Sequence, residues 1–290
     1  MSTSMTALLK LRAERGQMSA IERRIADYIL DNAQLLRDYS SQQLADALKI
    51  SQSSVVKFAQ RLGFKGYPDL KLSISEALAR ESALEPTGSD HAETGDVAPP
   101  DPDSARAEAL WHAKALSEEE TRALNPPATL ALVAQWIVEA DTLFVGGAGA
   151  DGYAAHSFGA RVALLGRRCI AHVQSASLLA SLSAAQRRDL ILLVSEHGAQ
   201  PEFLRATREA HALGGRVVAI CRNGASALRA VADATLVVSA HDPQPQIEDL
   251  VYQSALQHVL DDLFLRVFHA QPDAAARFHA NRARIVAPHD

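Results

Sequence analysis

Long apolar runs, aromatic side chains, cysteines and net positive charge are all scarce in this chain. No stretch of about 18 apolar residues occurs, and the opening MSTSMTALLKLRAERG lacks a long apolar segment. Neither a membrane span nor a secretory leader is therefore expected, and a cytoplasmic location is. The two cysteines, Cys169 and Cys221, sit at the ends of strand-like apolar runs. That excludes a disulfide framework and fits buried thiols in a reducing compartment. Aromatics make up only 5% of the chain, so any core is built mainly from Ala, Leu, Val and Ile. The 11 histidines are scattered, with no H-x-x-x-H pair and no cysteine ligands beside them. Neither a metal site nor a cofactor is expected. A net charge of -5 argues against a protein that coats nucleic acid indiscriminately.

What is present is enough for two domains: 290 residues, 48% of them hydrophobic. Residues 85–104, EPTGSDHAETGDVAPPDPDS, interrupt the apolar periodicity with Pro, Gly, Ser and acidic residues. They read as a flexible linker. Charge divides at the same place. Residues 1–84 hold 12 Lys+Arg against 9 Asp+Glu, whereas the remainder holds 17 against 25. The modest local surplus suits a dimer that reads a DNA sequence.

Ahead of the linker, Ala7 to Arg15 reads as a short helix. Ser19 then caps a second, with Glu22 completing a capping box and Ile21, Ile25, Tyr28 and Ile29 as its apolar face. A helical turn is expected near Ala33 to Arg37. The stretch SSQQLADALKISQSSVVKFAQRLGFKGYPDL, Ser40 to Leu70, then carries two short helices joined by a tight turn. Ser40 or Ser41 caps the first and Ser51 the second. Leu44, Ala45, Leu48, Val55, Val56, Phe58, Ala59 and Leu62 face inward, and Gly63 closes the second helix. Gln52, Ser53, Ser54, Lys57 and Arg61 are left on the outer face, with Ser41 and Lys65 flanking it. Their amides, hydroxyls and cations are the groups that read base edges or hold phosphates. Phe64 and Tyr67 plug the core, and Pro68 opens a further helix with Leu70, Leu72, Ile74 and Leu78 on its apolar side.

Beyond the linker, helical patterns run from Ala105 to Leu124 and from Pro127 to Glu139. Five strand-like runs follow at 142–147, 167–173, 189–195, 216–221 and 234–240, each trailed by a helix. Buried, β-rich runs alternating with helices predict an α/β domain, a five-stranded parallel sheet sandwiched by helices. Ligands in such sheets bind beyond the carboxyl ends of the strands. The GGAGADG turn after the first run is weak evidence for a dinucleotide, because no well-placed acidic partner follows it.

The segment SSQQLADALKISQSSVVKFAQRLGFKGYPDLKLSI resembles the RpiR/MurR family of bacterial transcription regulators, above all in its LGFKGY-x-x-LK tail. The second half is similar to the SIS (sugar isomerase) domain that this family carries. The resemblance implies a helix-turn-helix DNA-binding domain over 1–84, the linker over 85–104, and an SIS-like sensor and dimerisation domain over 105–290. It also implies a homodimer or homotetramer on double-stranded, palindromic operator DNA, with a sugar phosphate or related metabolite as effector. The effector-facing positions it implies are Gly147, Gly149, Asp151, Ser175, Ser177, Ser195, Glu196, His197, Gly198 and Gln200. The SIS pattern usually places hydroxyls where this chain has Asp151, His197 and Gln200. A carboxylate at Asp151 disfavours a phosphate at that point.

Two other classes remain open at this stage. A ligand-independent regulator would use the second half only for assembly. A sugar-phosphate isomerase would need a base, for which Glu196, His197, Glu248 and His258 are nominees, yet no pair is fixed by spacing. The fused helix-turn-helix favours a switch over an enzyme.

Overall fold

Serine hydroxyls start three helices of the amino-terminal half. The structure, a computed structural model, describes residues 7–14, 18–33, 36, 39–84, 101–242 and 244–286. These divide into two compact units, Met1–Asp101 and Pro102–Asp290. The first contains α1 (Ala7–Glu14), α2 (Ala20–Asp31), α3 (Ser41–Leu48), α4 (Gln52–Arg61) and α5 (Tyr67–Leu84). Ser19 and Glu22 form a reciprocal capping box on α2, and Ser40 and Gln43 repeat it on α3. Ser51 Oγ accepts the Ser54 N–H at 3.2 Å to cap α4. Each such cap contributes about 1 kcal/mol.

The core of this unit joins Leu11, Ile25, Ile29, Leu44, Leu48, Val55, Phe58, Leu62, Leu70 and Ile74. Tyr67 is buried there, with its hydroxyl donating to the Tyr39 carbonyl at 3.2 Å, and Phe64 packs at its margin. Three apolar residues depart from the expected pattern. Ile21 is 51% exposed, because it lies in the first turn of α2, short of the buried stripe Ile25, Ala26 and Ile29. Leu72 is 59% exposed. Tyr67, Leu70 and Ile74 share the inner face of α5, and at 3.6 residues per turn Leu72 falls on the opposite one. Val56 is only half-buried. The Leu78 side chain, most of the expected turn near Ala33 to Arg37, and linker residues 85–100 lie outside the described residues.

The second unit begins with α6 (Pro102–Leu124) and α7 (Pro127–Glu139). Residues 102–104, expected as linker, are therefore helical. Pro102 stands at the first helical position, where its missing N–H costs nothing. There follow β1 (Leu143–Gly146), α8 (Ala150–Leu164), β2 (Cys169–His172), α9 (Ser175–Leu182), β3 (Leu190–Val194) and α10 (Pro201–Ala212). The unit ends with β4 (Arg216–Arg222), α11 (Ala227–Val231), β5 (Ala234–Val238), α12 (Pro245–His269) and α13 (Ala274–Val286). The five strands pair in parallel in the order β2-β1-β3-β4-β5.

Alternate strand residues face opposite layers, as a pleated sheet requires. Leu190, Leu192, Val194, Val218 and Ile220 pack with α7, α8 and α12 residues such as Leu130, Phe158 and Leu256. Ile191, Leu193, Val217 and Ala219 pack with α9, α10 and α11 residues such as Leu178, Phe203 and Leu228. Both faces are buried, which is why the strands read as unbroken apolar runs.

The outer edge of β5 is closed by side chains of α6. Asn125 exchanges hydrogen bonds with the backbone of Val237, at 2.7 Å through Nδ2 and 2.8 Å through Oδ1. Thr121 Oγ1 accepts from the Ser239 N–H at 2.9 Å, and Ser117 donates to the Ser239 carbonyl. An unpaired strand edge invites association with other strands, and these residues satisfy it from within the chain.

Candidate DNA interface and effector crevice

A left-handed residue turns the chain between the two short helices. Lys49, with φ of 51°, ends α3, and Ser51 caps α4 two residues later. The Gln52 amide donates to Ser41 Oγ at 2.8 Å, tying the start of α4 to the start of α3. Ser53 Oγ and Ser54 Oγ each lie 2.8 Å from Ser51 Oγ. The structure thus gathers Ser41, Gln52, Ser53 and Ser54 into one polar patch around the N-terminus of α4. Helical spacing places Ser53, Lys57 and Arg61 along one face of that helix, and the Lys57 side chain is exposed.

Arg61 has a second task. It forms an ion pair with Glu22 of α2. The Glu22 carboxyl is held below its ordinary range, chiefly by the Ser19 hydroxyl and further by Arg61. Lys65 stands in the turn before α5, where its backbone N–H donates to Asp69 Oδ2 at 2.8 Å, and its side chain is exposed. Sequence reasoning missed the supports behind this surface. Arg24 Nη2 donates to the Leu48 carbonyl at 2.8 Å, bracing the end of α3. Lys10 donates to the Leu62 carbonyl at 3.2 Å and lies over the Phe64 ring. No local pattern marks either contact, since the partners are distant in the chain.

In the second unit the strand order reverses between β1 and β3, so the crevice in which such sheets bind ligands would lie beyond their carboxyl ends. Gly147 lets β1 run directly into α8. A Cβ there would meet the Asp151 carbonyl oxygen at 2.6 Å. Gly149 supplies the N-cap position of α8, and Asp151 follows in its first turn.

Asp151 is 7% exposed. Its Oδ2 accepts the Glu196 N–H at 2.8 Å from the loop after β3, and the Gln253 amide reaches its Oδ1 at 3.5 Å. Burial pushes the Asp151 carboxyl above its ordinary range, against the pull of these donors. The buried Tyr252 hydroxyl faces the same carboxylate, and burial first, then the charge of Asp151, drives its pKa upward.

Ser195 is also buried. Its hydroxyl donates to Gln200 Oε1 and accepts the Gly198 N–H at 3.0 Å. Gly198, at φ of 56°, admits no side chain, because a Cβ would lie 2.3 Å from Ser226 Oγ. Arg222, at the end of β4, joins Glu196 at 3.0 Å, Glu248 of α12 and the Ala240 carbonyl. Its charge is thereby committed to two carboxylates rather than left for an anion.

The expected residues thus divide. Asp151 bonds to Glu196, and Ser195 bonds to Gly198 and Gln200, in two adjoining sets at the loop after β3, with Gly147 and Gly149 beside Asp151. His197 is exposed at their margin. Ser175 and Ser177 occupy the first turn of α9 after the edge strand β2, and among the described residues no hydrogen bond links them to either set. Sequence reasoning placed Glu248 only as a nominal base and passed over Tyr252 and Gln253. The available signal was a set of polar residues, Glu248, Tyr252 and Gln253, at roughly one-turn spacing near the start of a long apolar helix.

Comparison with known proteins agrees with both halves. The family model for the helix-turn-helix domain of the rpiR family matches residues 5–81, and the SIS domain model matches residues 136–265. An uncharacterised HTH-type transcriptional regulator of Escherichia coli K12, YfhH, is 31% identical over 279 residues, covering 92% of this chain and 98% of its own. The chain belongs to the rpiR family of transcriptional regulators. A second family member, the uncharacterised HTH-type regulator TTE0211 of Caldanaerobacter subterraneus, is 23% identical and matched over 96% of both chains. The Vibrio vulnificus NanR protein, solved in complex with ManNAc-6P, shares the fold with a TM-score of 0.56 at 20% identity, covering 98% of this chain and 100% of that one. The sugar isomerase domain of an RpiR transcription factor from Sphaerobacter thermophilus gives a TM-score of 0.54 at 18% identity, covering 62% of this chain and 97% of that one. Both relatives, YfhH and TTE0211, are named as HTH-type transcriptional regulators. Among the described residues, no helix is long and apolar enough to cross a membrane.

Proposed function

We propose that this rpiR-family regulator binds a palindromic operator through α4, as a homodimer or homotetramer assembled by its SIS domain in the cytoplasm. The observation that carries this reading is the capped α3–α4 pair, with Ser41, Gln52, Ser53 and Ser54 gathered at the start of α4. Gln52, Ser53 and Ser54 reach base edges, while Lys57, Arg61 and Lys65 hold phosphates. Residues 1–84 form the DNA-binding domain and 105–290 the sensor, with 85–104 the join between them.

The effector, a sugar phosphate or related metabolite, binds in the crevice beyond β1 and β3. It acts by favouring one of two arrangements of the assembled chains. NanR, which shares the fold, was solved with a phosphosugar, and this supports the effector class. The pairing of Arg222 with Glu196 and Glu248, and of Ser195 with Gln200, favours a second reading. In it the crevice is satisfied by its own side chains, and the domain serves assembly alone.

Genome-wide binding-site mapping supplies the operator. Titrating that operator with metabolite pools then separates the two readings. Release by a small molecule supports sensing, and unchanged affinity across the pools supports assembly alone.

A further inference from the structure

A phosphate group is held in proteins by backbone N–H groups, hydroxyls and helix N-termini converging on one point. The crevice beyond β1 and β3 offers those elements, and several are already engaged. The Glu196 N–H, first in the loop after the central strand β3, donates to Asp151 Oδ2 at 2.8 Å. The carboxylate itself sits in the first turn of α8, where the helix favours negative charge. The Ser195 hydroxyl is spent on Gln200. The nearby Arg222 guanidinium is divided between Glu196 and Glu248. Glu196 and Glu248 thus hold Arg222 between them, and an incoming phosphate would meet repulsion from the Asp151 carboxylate beside the Glu196 N–H. The buried Tyr252 hydroxyl faces Asp151 and interacts with its carboxylate.

We infer that Asp151 is a specificity residue: its carboxylate occupies the anion seat of the crevice, excluding phosphate and phosphate esters and reserving the site for phosphate-free ligands. The inference rests on the crevice being the sensor site. Of the two alternatives in the proposed effector class, it rules out the sugar phosphate and keeps the related, phosphate-free metabolite.

The test is isothermal titration of the full chain with inorganic phosphate and with glucose 6-phosphate. Wild type is compared with Asp151→Ala, Asp151→Ser and the isosteric Asp151→Asn, each first shown folded by circular dichroism. Wild type is expected to give no saturable heat with either probe. Asp151→Ala and Asp151→Ser should gain binding to both, at least tenfold tighter than the wild-type limit, and Asp151→Asn a weaker gain. Saturable binding of either probe by wild type overturns the inference. So does the absence of any gain in every variant that folds. Operator binding by wild type, measured separately by mobility shift, reports on the regulator reading alone, so the two failures are distinguishable.

Discussion

Asp151 carries the sharpest consequences at the scale of single residues. Burial raises its pKa above the ordinary carboxylate value of 3.8. Below that value both folded and unfolded chains hold the proton, and the residue costs nothing. As pH rises through the interval up to its folded pKa, the unfolded chain ionises first, and stability is lost. Asp151→Asn removes this cost while keeping an acceptor for the Glu196 N–H. The variant is therefore expected to melt above wild type at pH 8, with the gap narrowing towards pH 4. Each unit of raised pKa corresponds to about 1.4 kcal/mol. Thermal melts across that range check it, and a gap that widens as pH falls contradicts it.

The cysteines make a second residue-scale case. Both are free, and burial pushes Cys169 up to about 12 and Cys221 up to about 11. The thiolate is the reactive form, so iodoacetamide at pH 8 should label both far more slowly in the native chain than after denaturation, as mass spectrometry can follow.

Elements explain what was legible in the sequence and what was not. The caps at Ser19, Ser40 and Ser51 could be read directly, because a capping hydroxyl and its amide lie within three residues of each other. The five strands could be read because both sheet faces are buried, leaving short apolar runs between helices. Helix α13 lacked such a signal: the apolar residues of AAARFHANRARIV are mostly alanines, broken up by Arg, His and Asn. The closure of the β5 edge was equally hidden. Asn125, Thr121 and Ser117 look like ordinary helix residues until the fold brings them to Val237 and Ser239, over a hundred positions away. A separation of 26 positions on either side likewise concealed that Arg222 is shared by Glu196 and Glu248. Asn125 is buried and bonded to both backbone groups of Val237. Asn125→Ala leaves those groups unsatisfied, and each such buried group costs about 1–3 kcal/mol. A fall in urea stability of about 2 kcal/mol or more is expected, together with increased self-association by light scattering.

At the scale of the whole molecule, the chain has separate cores. One joins Leu11, Ile29, Phe58 and Leu70 in the first unit. Those around Leu192 and Leu193 belong to the second. Calorimetry of the full chain should accordingly resolve two transitions, and an effector that binds the crevice should raise only the one belonging to the sensor unit. In the proposed function, recognition helices of a dimer must lie about 34 Å apart to enter successive major-groove faces, so an effector that alters the assembly of the sensor units would alter the fit to the operator. The Ser40–Leu70 stretch made the helix-turn-helix domain legible in the sequence. The candidate effector site was less legible, since the state of Asp151 and Arg222 depends on partners that only the folded sheet assembles.

The central claim is that α4 meets the operator, and Lys57 tests it most directly. Its side chain is exposed on α4, whereas Arg61 also braces Glu22. DNase footprinting of the mapped operator, comparing wild type with Lys57→Ala at matched folding, is the measurement. Wild type should protect two half-sites one helical turn apart or a multiple of it. The variant should bind roughly tenfold or more weakly, with a salt slope reduced by about two, one for each protomer of the dimer. An unchanged footprint, with the same affinity and salt dependence in Lys57→Ala, would contradict the account.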